Sequence, residues 1–316
     1  MCTPKSQRQC ASRRHSVMID GAMTSSVAAA PTAWERVKIA RHAERPHALD
    51  YLNALTTDWV ELHGDRAFGD DRALIGGLAA FGGRTVMFLG HQKGNDTREN
   101  IARNFGMARP EGYRKAERLM RHAEKFGFPV VTLIDTPGAE PGIGSEERGQ
   151  ATAIAESLLA MADLAVPTVA VVIGEGGSGG ALAIGVADRI LMLENAIYAV
   201  ASPEACAAIL WKDAGRAAEA AETMRITAAD LKQFGIVDEV VAELVPAHER
   251  PHDVIKATGD AIGRHLGELV DTFPRGDASA VERLRAARYE RFRRIGVWSE
   301  AFPAANGLDS EPIPPN

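Results

Sequence analysis

The residues with the most chemical potential in this chain are glycines. An apolar run, Val166 to Ile173, leads into Gly174-Glu175-Gly176-Gly177-Ser178-Gly179-Gly180, and Ala181-Leu182-Ala183-Ile184-Gly185 follows. The pattern reads as a buried strand, a glycine loop and a helix start, and flanks this apolar do not suit a flexible linker. Gly174, Gly176 and Gly179 satisfy G-x-G-x-x-G, and Glu194 stands about 20 residues on, where a dinucleotide site would place its ribose-binding acid. Against that reading, the helix expected over Gly180–Ala187 is shorter than the dozen or so residues of a parallel crossover. Gly176, Ser178 and Gly180 also match G-x-S-x-G, the strained turn that exposes a nucleophilic serine. The histidines downstream, however, are His248 and His252 in a polar, Pro-bounded stretch and His265 among charges on an amphipathic helix. None has the setting of a catalytic base. A phosphate-binding P-loop is removed because the loop lacks its Lys-Ser/Thr ending.

A third chemistry needs only backbone. The first N–H groups of a helix have no intrahelical partner, and glycine there lets a substrate oxygen approach closely. Two such donors aimed at one oxygen form an oxyanion hole, and Gly179 and Gly180 are the best-placed pair. A second glycine turn, Asp135-Thr136-Pro137-Gly138-Ala139-Glu140-Pro141-Gly142-Ile143-Gly144, also joins a strand to a helix, for which Ser145 is the expected N-cap. Loops at the carboxyl ends of parallel strands line the ligand crevice, so both turns are expected at one site. Gly138, Ala139, Gly176 and Gly177 are then the substrate-binding candidates and Gly179 and Gly180 the catalytic donors.

The elements that must hold these turns alternate between short apolar runs and helical patterns, which predicts an α/β architecture. Strands are expected at Leu74–Phe81, Thr85–Gly90, Val130–Asp135, Thr168–Ile173, Arg189–Leu193, Ala196–Val200 and Ile236–Val241. Helices are expected at Glu111–Phe126, Glu146–Met161, Gly180–Ala187, Pro203–Leu210, Ala228–Phe234, His252–Val270 and Ala280–Arg294. Gly76-Gly77 and Gly82-Gly83 flank the first strand pair and suit a hairpin with the second pair at its turn. His91 and Lys93 end a strand and read either as contacts to an anionic ligand or as a solvated turn. Arg114 and Lys115 read as surface or subunit-contact charges, and Glu175 as a brace for its loop.

Composition narrows the functional classes. The 36 basic and 42 acidic residues give a net charge of -6 without a single-sign block, which argues against nucleic acid as a partner. The longest apolar stretch, Leu164 to Gly174, contains Pro167 and falls short of the roughly 20 residues that span a bilayer. Cys2, Cys10 and Cys206 are too scattered for a disulfide framework or a C-x-x-C metal site, which fits a reducing, cytoplasmic setting. Residues 1–33 read as a disordered leader with some likeness to a transit peptide, residues 34–296 as one catalytic domain, and residues 297–316 as a disordered tail.

Taken together, these residues resemble the alpha subunits of bacterial and plastid acetyl-CoA carboxylase carboxyltransferase. The resemblance rests on Arg41-His42, Arg45-Pro46, Gly64-Asp65-Arg66, Gly90 to Gly94, Arg103 to Met107, Pro110 to Ala116, Asp135 to Ala139, Glu146 to Gln150, Gly174 to Gly185, Ser202-Pro203-Glu204 and Ile209 to Lys212. It covers Trp34 to Gly296. It implies a crotonase-like (ClpP/crotonase) spiral of strand-strand-helix units, and transfer of a carboxyl group from carboxybiotin to acetyl-CoA, forming malonyl-CoA for fatty acid synthesis. The biotin is implied to ride on a separate biotin carboxyl carrier protein charged by a biotin carboxylase. A zinc-ribbon beta subunit completes an α2β2 enzyme, with no metal in the alpha chain. The family's glycine pair, which polarises the biotin ureido oxygen, matches Gly179 and Gly180, while the beta subunit's pair holds the thioester enolate. Two departures stand out: Glu140 replaces a common family aromatic, and the longer helical N-terminal segment of many members is largely missing before Trp34.

Overall fold

The computed structural model of this chain describes residues 30–296. The strands are β1 (Thr57–Glu61), β2 (Leu74–Phe81), β3 (Arg84–His91), β4 (Val130–Thr136), β5 (Thr168–Gly177), β6 (Arg189–Leu193), β7 (Ile197–Ala199) and β8 (Glu239–Val241). The helices are α1 (Ala33–Ala40), α2 (Ala48–Leu55), α3 (Thr97–Ala102), α4 (Pro110–Phe126), α5 (Ile143–Glu147), α6 (Gln150–Asp163), α7 (Ser178–Leu182), α8 (Pro203–Trp211), α9 (Ala217–Met224), α10 (Ala228–Gln233), α11 (Pro251–Thr272) and α12 (Ala278–Arg293).

One eight-stranded sheet runs in the order β1-β2-β3-β4-β5-β6-β8, with β7 on β5. β1, β2 and β3 are antiparallel neighbours, and from β3 onward every pair is parallel. β4 and β5 are buried along their whole length, as their unbroken apolar runs require of central parallel strands. The expected hairpin is present. Gly82 and Gly83 both have positive φ, 56° and 77°, as a two-residue turn matching the strand twist demands. Gly76-Gly77 does not flank β2 but lies inside it. A Cβ on Gly77 would stand 2.1 Å from the Val60 carbonyl oxygen, so the glycine lets β1 cross. Sequence pattern missed β1 because Thr57-Asp58-Trp59-Val60-Glu61 is an edge strand with no buried face.

Helix ends follow local chemistry. Thr32 and Glu35 form a capping box at α1, which begins at the end of the span expected to be leader, while residues 1–29 of that leader and the 297–316 tail lie outside the described residues. Pro110 starts α4, and Gly127 ends it in the left-handed region. The helix expected over Glu146–Met161 is instead two, α5 and α6, because Gly149 turns left-handed (φ 81°) between them. Ser145 is not an N-cap. Gly142 takes that place, and the Ser145 hydroxyl is buried without a partner. The strand expected from Ile236 is reduced to Glu239–Val241.

At the end of the sheet where the parallel strands begin, α12 is fastened by Arg285, Arg288 and Arg291, of which Arg288 is the buried one. The buried Arg288 guanidinium grips Asp188 through Nε and Nη2 (both 2.8 Å) and donates to the carbonyls of Met161, Ala162, Leu164 and Val166. It thereby satisfies the open carbonyls at the C-terminus of α6. Arg288→Ala strands the Asp188 charge and those carbonyls, so unfolding free energy should fall by about 3–5 kcal/mol, read from the urea midpoint. A midpoint equal to wild type would show that the clamp is redundant.

Candidate functional site

The site is built where β4 and β5 leave their common register. Ile134 pairs with Val172 and Thr136 with Gly176, so one residue on β4, Asp135, faces three on β5, Ile173 to Glu175. Such a bulge breaks the ladder and frees backbone groups that must find other partners. Arg45 Nε donates to the Ile173 carbonyl (2.7 Å), and the Asp135 carboxylate accepts the Glu175 N–H (3.0 Å). Gly174 makes room, because a Cβ there would lie 2.4 Å from Asp135 Oδ1. Beyond the bulge β5 continues through Gly177, pairing with β7, so most of the expected glycine loop is strand.

Asp135 is fully buried and collects charge. Lys93 Nζ lies 2.6 Å from Oδ1 and His47 Nδ1 3.3 Å from Oδ2. Burial pushes its carboxyl upward, but the Lys93 ammonium, the His47 contact and the Glu175 N–H outweigh that and hold it well below the usual carboxylate range. Lys93 is therefore neither a solvated residue nor a free anion contact. His91, beneath the same turn, is wholly buried; both ring nitrogens lack a partner, and burial takes its pKa down to about 4. Arg41 clasps Glu175 (2.6 Å) and Glu204 (2.6 Å), so Glu175 does brace its loop, while Arg45 also forms a buried pair with Glu243 (2.6 Å). Arg114 and Lys115 are not surface charges. Lys115 is fully buried against Asp70 (2.6 Å) and the Asp71 carbonyl, and Arg114 pairs with Asp65 (2.8 Å) and Glu111 (3.3 Å).

The two glycine turns press on each other. A Cβ on Gly177 would sit 2.1 Å from the Pro137 oxygen, and one on Gly180 would sit 2.7 Å from Ala139 N and from Gly138 C. Gly176, Gly177, Gly179, Gly180, Gly138 and Ala139 are thus brought into one place. Gly177 opens α7 without any side-chain cap, and neither Gly179 nor Gly180 donates its N–H to an acceptor among the described residues. α7 ends at Leu182 rather than Ala187, far too short for a dinucleotide crossover. Glu194 points to Arg36 (3.7 Å) instead. Ser178 is exposed at φ 50°, a strained conformation suited to a sharp strand-to-helix turn. Neither His248 nor His265 serves it: His248 stacks on His42 at 3.8 Å, and His265 holds Glu239 at 2.8 Å. The Glu140 carboxylate accepts the Gly142 N–H (3.0 Å), so it shapes its own turn.

A family model described as acetyl co-enzyme A carboxylase carboxyltransferase-like matches residues 19–296. The chain belongs to this family. It is 55% identical over 268 residues to the acetyl-coenzyme A carboxylase carboxyl transferase subunit alpha of Geobacter metallireducens, covering 84% of this chain and 82% of that one. Against the subunit alpha of Acidithiobacillus ferrooxidans it is 58% identical over 266 residues, again covering 84% and 82%. Among solved structures, transcarboxylase 12S superposes with a TM-score of 0.57 at 22% identity, over 71% of this chain and 42% of that one. The Pseudomonas malonate decarboxylase hetero-dimer gives 0.53 at 19%, over 70% and 89%. The chain spans less than half of the transcarboxylase chain. Both neighbours have the crotonase-like α/β fold expected above. The family match begins at residue 19, earlier than the Trp34 read from motifs.

The Asp135 network beneath the candidate site has a pH signature. A depressed folded pKa contributes stability that is present above the unfolded value, about 3.9, and is lost as pH falls toward the folded value. Asp135→Asn should therefore lower stability at pH 7 by about 3 kcal/mol or more. The gap from wild type should narrow as pH drops below about 4, as read by urea unfolding across pH. A gap independent of pH would contradict the ionised role of Asp135.

Proposed function

We propose that this chain is the alpha half of a biotin-dependent carboxyltransferase. With a zinc-ribbon beta subunit, as α2β2 in the cytoplasm, it moves the carboxyl group of carboxybiotin to acetyl-CoA and forms malonyl-CoA. The reading is supported by the close identity to named alpha subunits together with one geometric feature: two unpartnered backbone donors, Gly179 and Gly180, where the glycine turns meet. The donor set fits biotin. Its ureido carbonyl is a neutral acceptor, and here it would meet backbone N–H groups rather than charged side chains.

When bound on its separate carrier protein, itself charged by a biotin carboxylase, biotin supplies the carboxyl group and afterwards a basic nitrogen. The chain's own work is to bind and orient. Gly179 and Gly180 N–H would hold the ureido oxygen, strengthening as negative charge gathers there. Gly138, Ala139, Gly176 and Gly177 would shape the pocket floor, where a Cβ on Gly177 would strike the Pro137 backbone and one on Gly176 the Tyr198 ring. The rigid bulge beneath keeps the donors fixed, so no part of the barrier goes to reorganising them.

Ser178 carries no chemistry in this scheme. Ser178→Ala should keep most carboxyltransferase activity in the complex with beta, whereas Gly180→Val should lose roughly 100- to 1000-fold in kcat, the cost typical of a lost oxyanion donor. Circular dichroism and co-purification with beta are the controls, because valine also presses on Ala139. Activity lost in the alanine variant and kept in the valine variant would sink the backbone-donor reading. The purified chain alone should be inactive in decarboxylating malonyl-CoA with free biotin as acceptor, and adding beta should restore turnover. Robust activity without beta would overturn the division of labour.

A further inference from the structure

Beside Pro137 lies a cavity of about 260 Å³, with Arg41, His47, Lys93, Phe105, Pro137 and Glu175 among its walls. That is below the range of drug-sized ligands and suits a compact ring. The charged walls are already committed: Lys93 is held by Asp135, and Arg41 by Glu175 and Glu204. His47 is the exception. It closes the start of α2, where its backbone N–H donates to Asp50 Oδ2 (2.8 Å), and it is only 4% exposed. Its Nδ1 lies against Asp135, whereas its Nε2 has no partner among the described residues and opens on the cavity.

Which imidazole nitrogen keeps its hydrogen is set by the bond that the other nitrogen makes. The ionised Asp135 carboxylate takes the Nδ1–H, so Nε2 faces the cavity as an acceptor of fixed direction. An acceptor on so deeply buried a side chain, left open to a small cavity, calls for a ligand with an N–H or O–H to offer. The ureido ring of the carboxyl donor supplies both halves of a match. It has a carbonyl for the backbone donors and an N–H on the nitrogen that carries no carboxyl group. The Glu175 wall of the cavity runs on through Gly176 and Gly177 into the start of α7, which puts Gly179 at most about 14 Å from it along the chain. We infer that His47 is a specificity-determining residue of the site, its Nε2 accepting the ureido N–H while Gly179 and Gly180 hold the ureido oxygen. This rests on the proposed carboxyl transfer and adds to it a side chain that touches the ligand. It also gives Asp135 a second task, since the carboxylate that answers the bulge aims the imidazole as well.

One test follows the imidazole directly by nitrogen NMR, on the full chain carrying isotope-labelled histidine. Ethyleneurea, the bare ureido ring, should move the His47 Nε2 resonance on titration. Its doubly N-methylated form, which keeps the carbonyl but has no N–H, should leave that resonance in place. A signal that ignores ethyleneurea, or answers both probes alike, overturns the inference. The other test uses the complex with the beta subunit, decarboxylating malonyl-CoA with free biotin as acceptor. His47→Asn keeps an N–H for Asp135 and deletes the outer nitrogen, so the KM for biotin should rise roughly tenfold, the weight of one hydrogen bond. The KM for malonyl-CoA and the melting temperature should stay as in wild type. His47→Gln, which returns an acceptor near the position of Nε2, should recover most of the loss. A biotin KM within twofold of wild type in His47→Asn overturns the inference. So does a rise in both KM values together with a lower melting temperature, which would mark His47 as a support for Asp135 alone. The parent reading fails separately: in that case the wild-type complex itself would transfer no carboxyl group, whatever the His47 resonance does.

Discussion

Everything at the candidate site depends on one buried carboxylate facing a bulge. Between paired positions, β5 has three residues where β4 has one, and the ladder cannot satisfy the groups thus released. Asp135 accepts the N–H of Glu175 and Arg45 donates to the carbonyl of Ile173; Lys93 then balances the carboxylate's charge, and the His47 ring lies against its other oxygen. Without that arrangement β5 would have no reason to leave β6 and swing toward β7. The Gly176-Gly177 backbone would then not meet Pro137, and the start of α7 would not be placed against the Gly138 turn. A charge buried this deeply is tolerated only when paired, which is why the Lys93 ammonium accompanies it.

How much of this was legible in sequence depends on what each feature needs. Strands β2 to β6 were readable because each is a short apolar run bounded by turn residues, and α4, α11 and α12 because their length lets periodicity show. The glycine turns were readable because glycine is the residue that close backbone approach demands. The networks beneath them were not. Lys93 and Lys115 look like surface lysines until the fold brings Asp135 and Asp70 to them from 42 and 45 positions away. Asp135 did carry a signal, an acid ending a run as apolar as Val130 to Ile134, but that signal says only that a partner must exist.

The same physics explains why familiar catalytic side chains are scarce. In the proposed reaction the base and the carboxyl group arrive with the cofactor, and the protein has only to place donors in a dry, rigid setting. Backbone amides are well suited to such placement, since they carry no titrating charge and are as rigid as the elements that hold them. The charged groups near the site belong to the scaffold, each committed to a partner, so none of them competes for a neutral acceptor such as a ureido oxygen.

A site made of backbone in contact with backbone has a further consequence. Gly177 against Pro137 and Gly180 against Ala139 leave less room than one methyl group, so substitutions at these two glycines cannot tune specificity without separating the turns. Discrimination between ligands must come from groups that reach the turns from outside. In the proposed reading, the thioester side belongs to the partner subunit, whose pocket would vary without disturbing the packed glycines. On that reading the alpha chain is expected to change little among enzymes that accept different acyl groups, because its proposed ligand would be the same carboxyl donor in each.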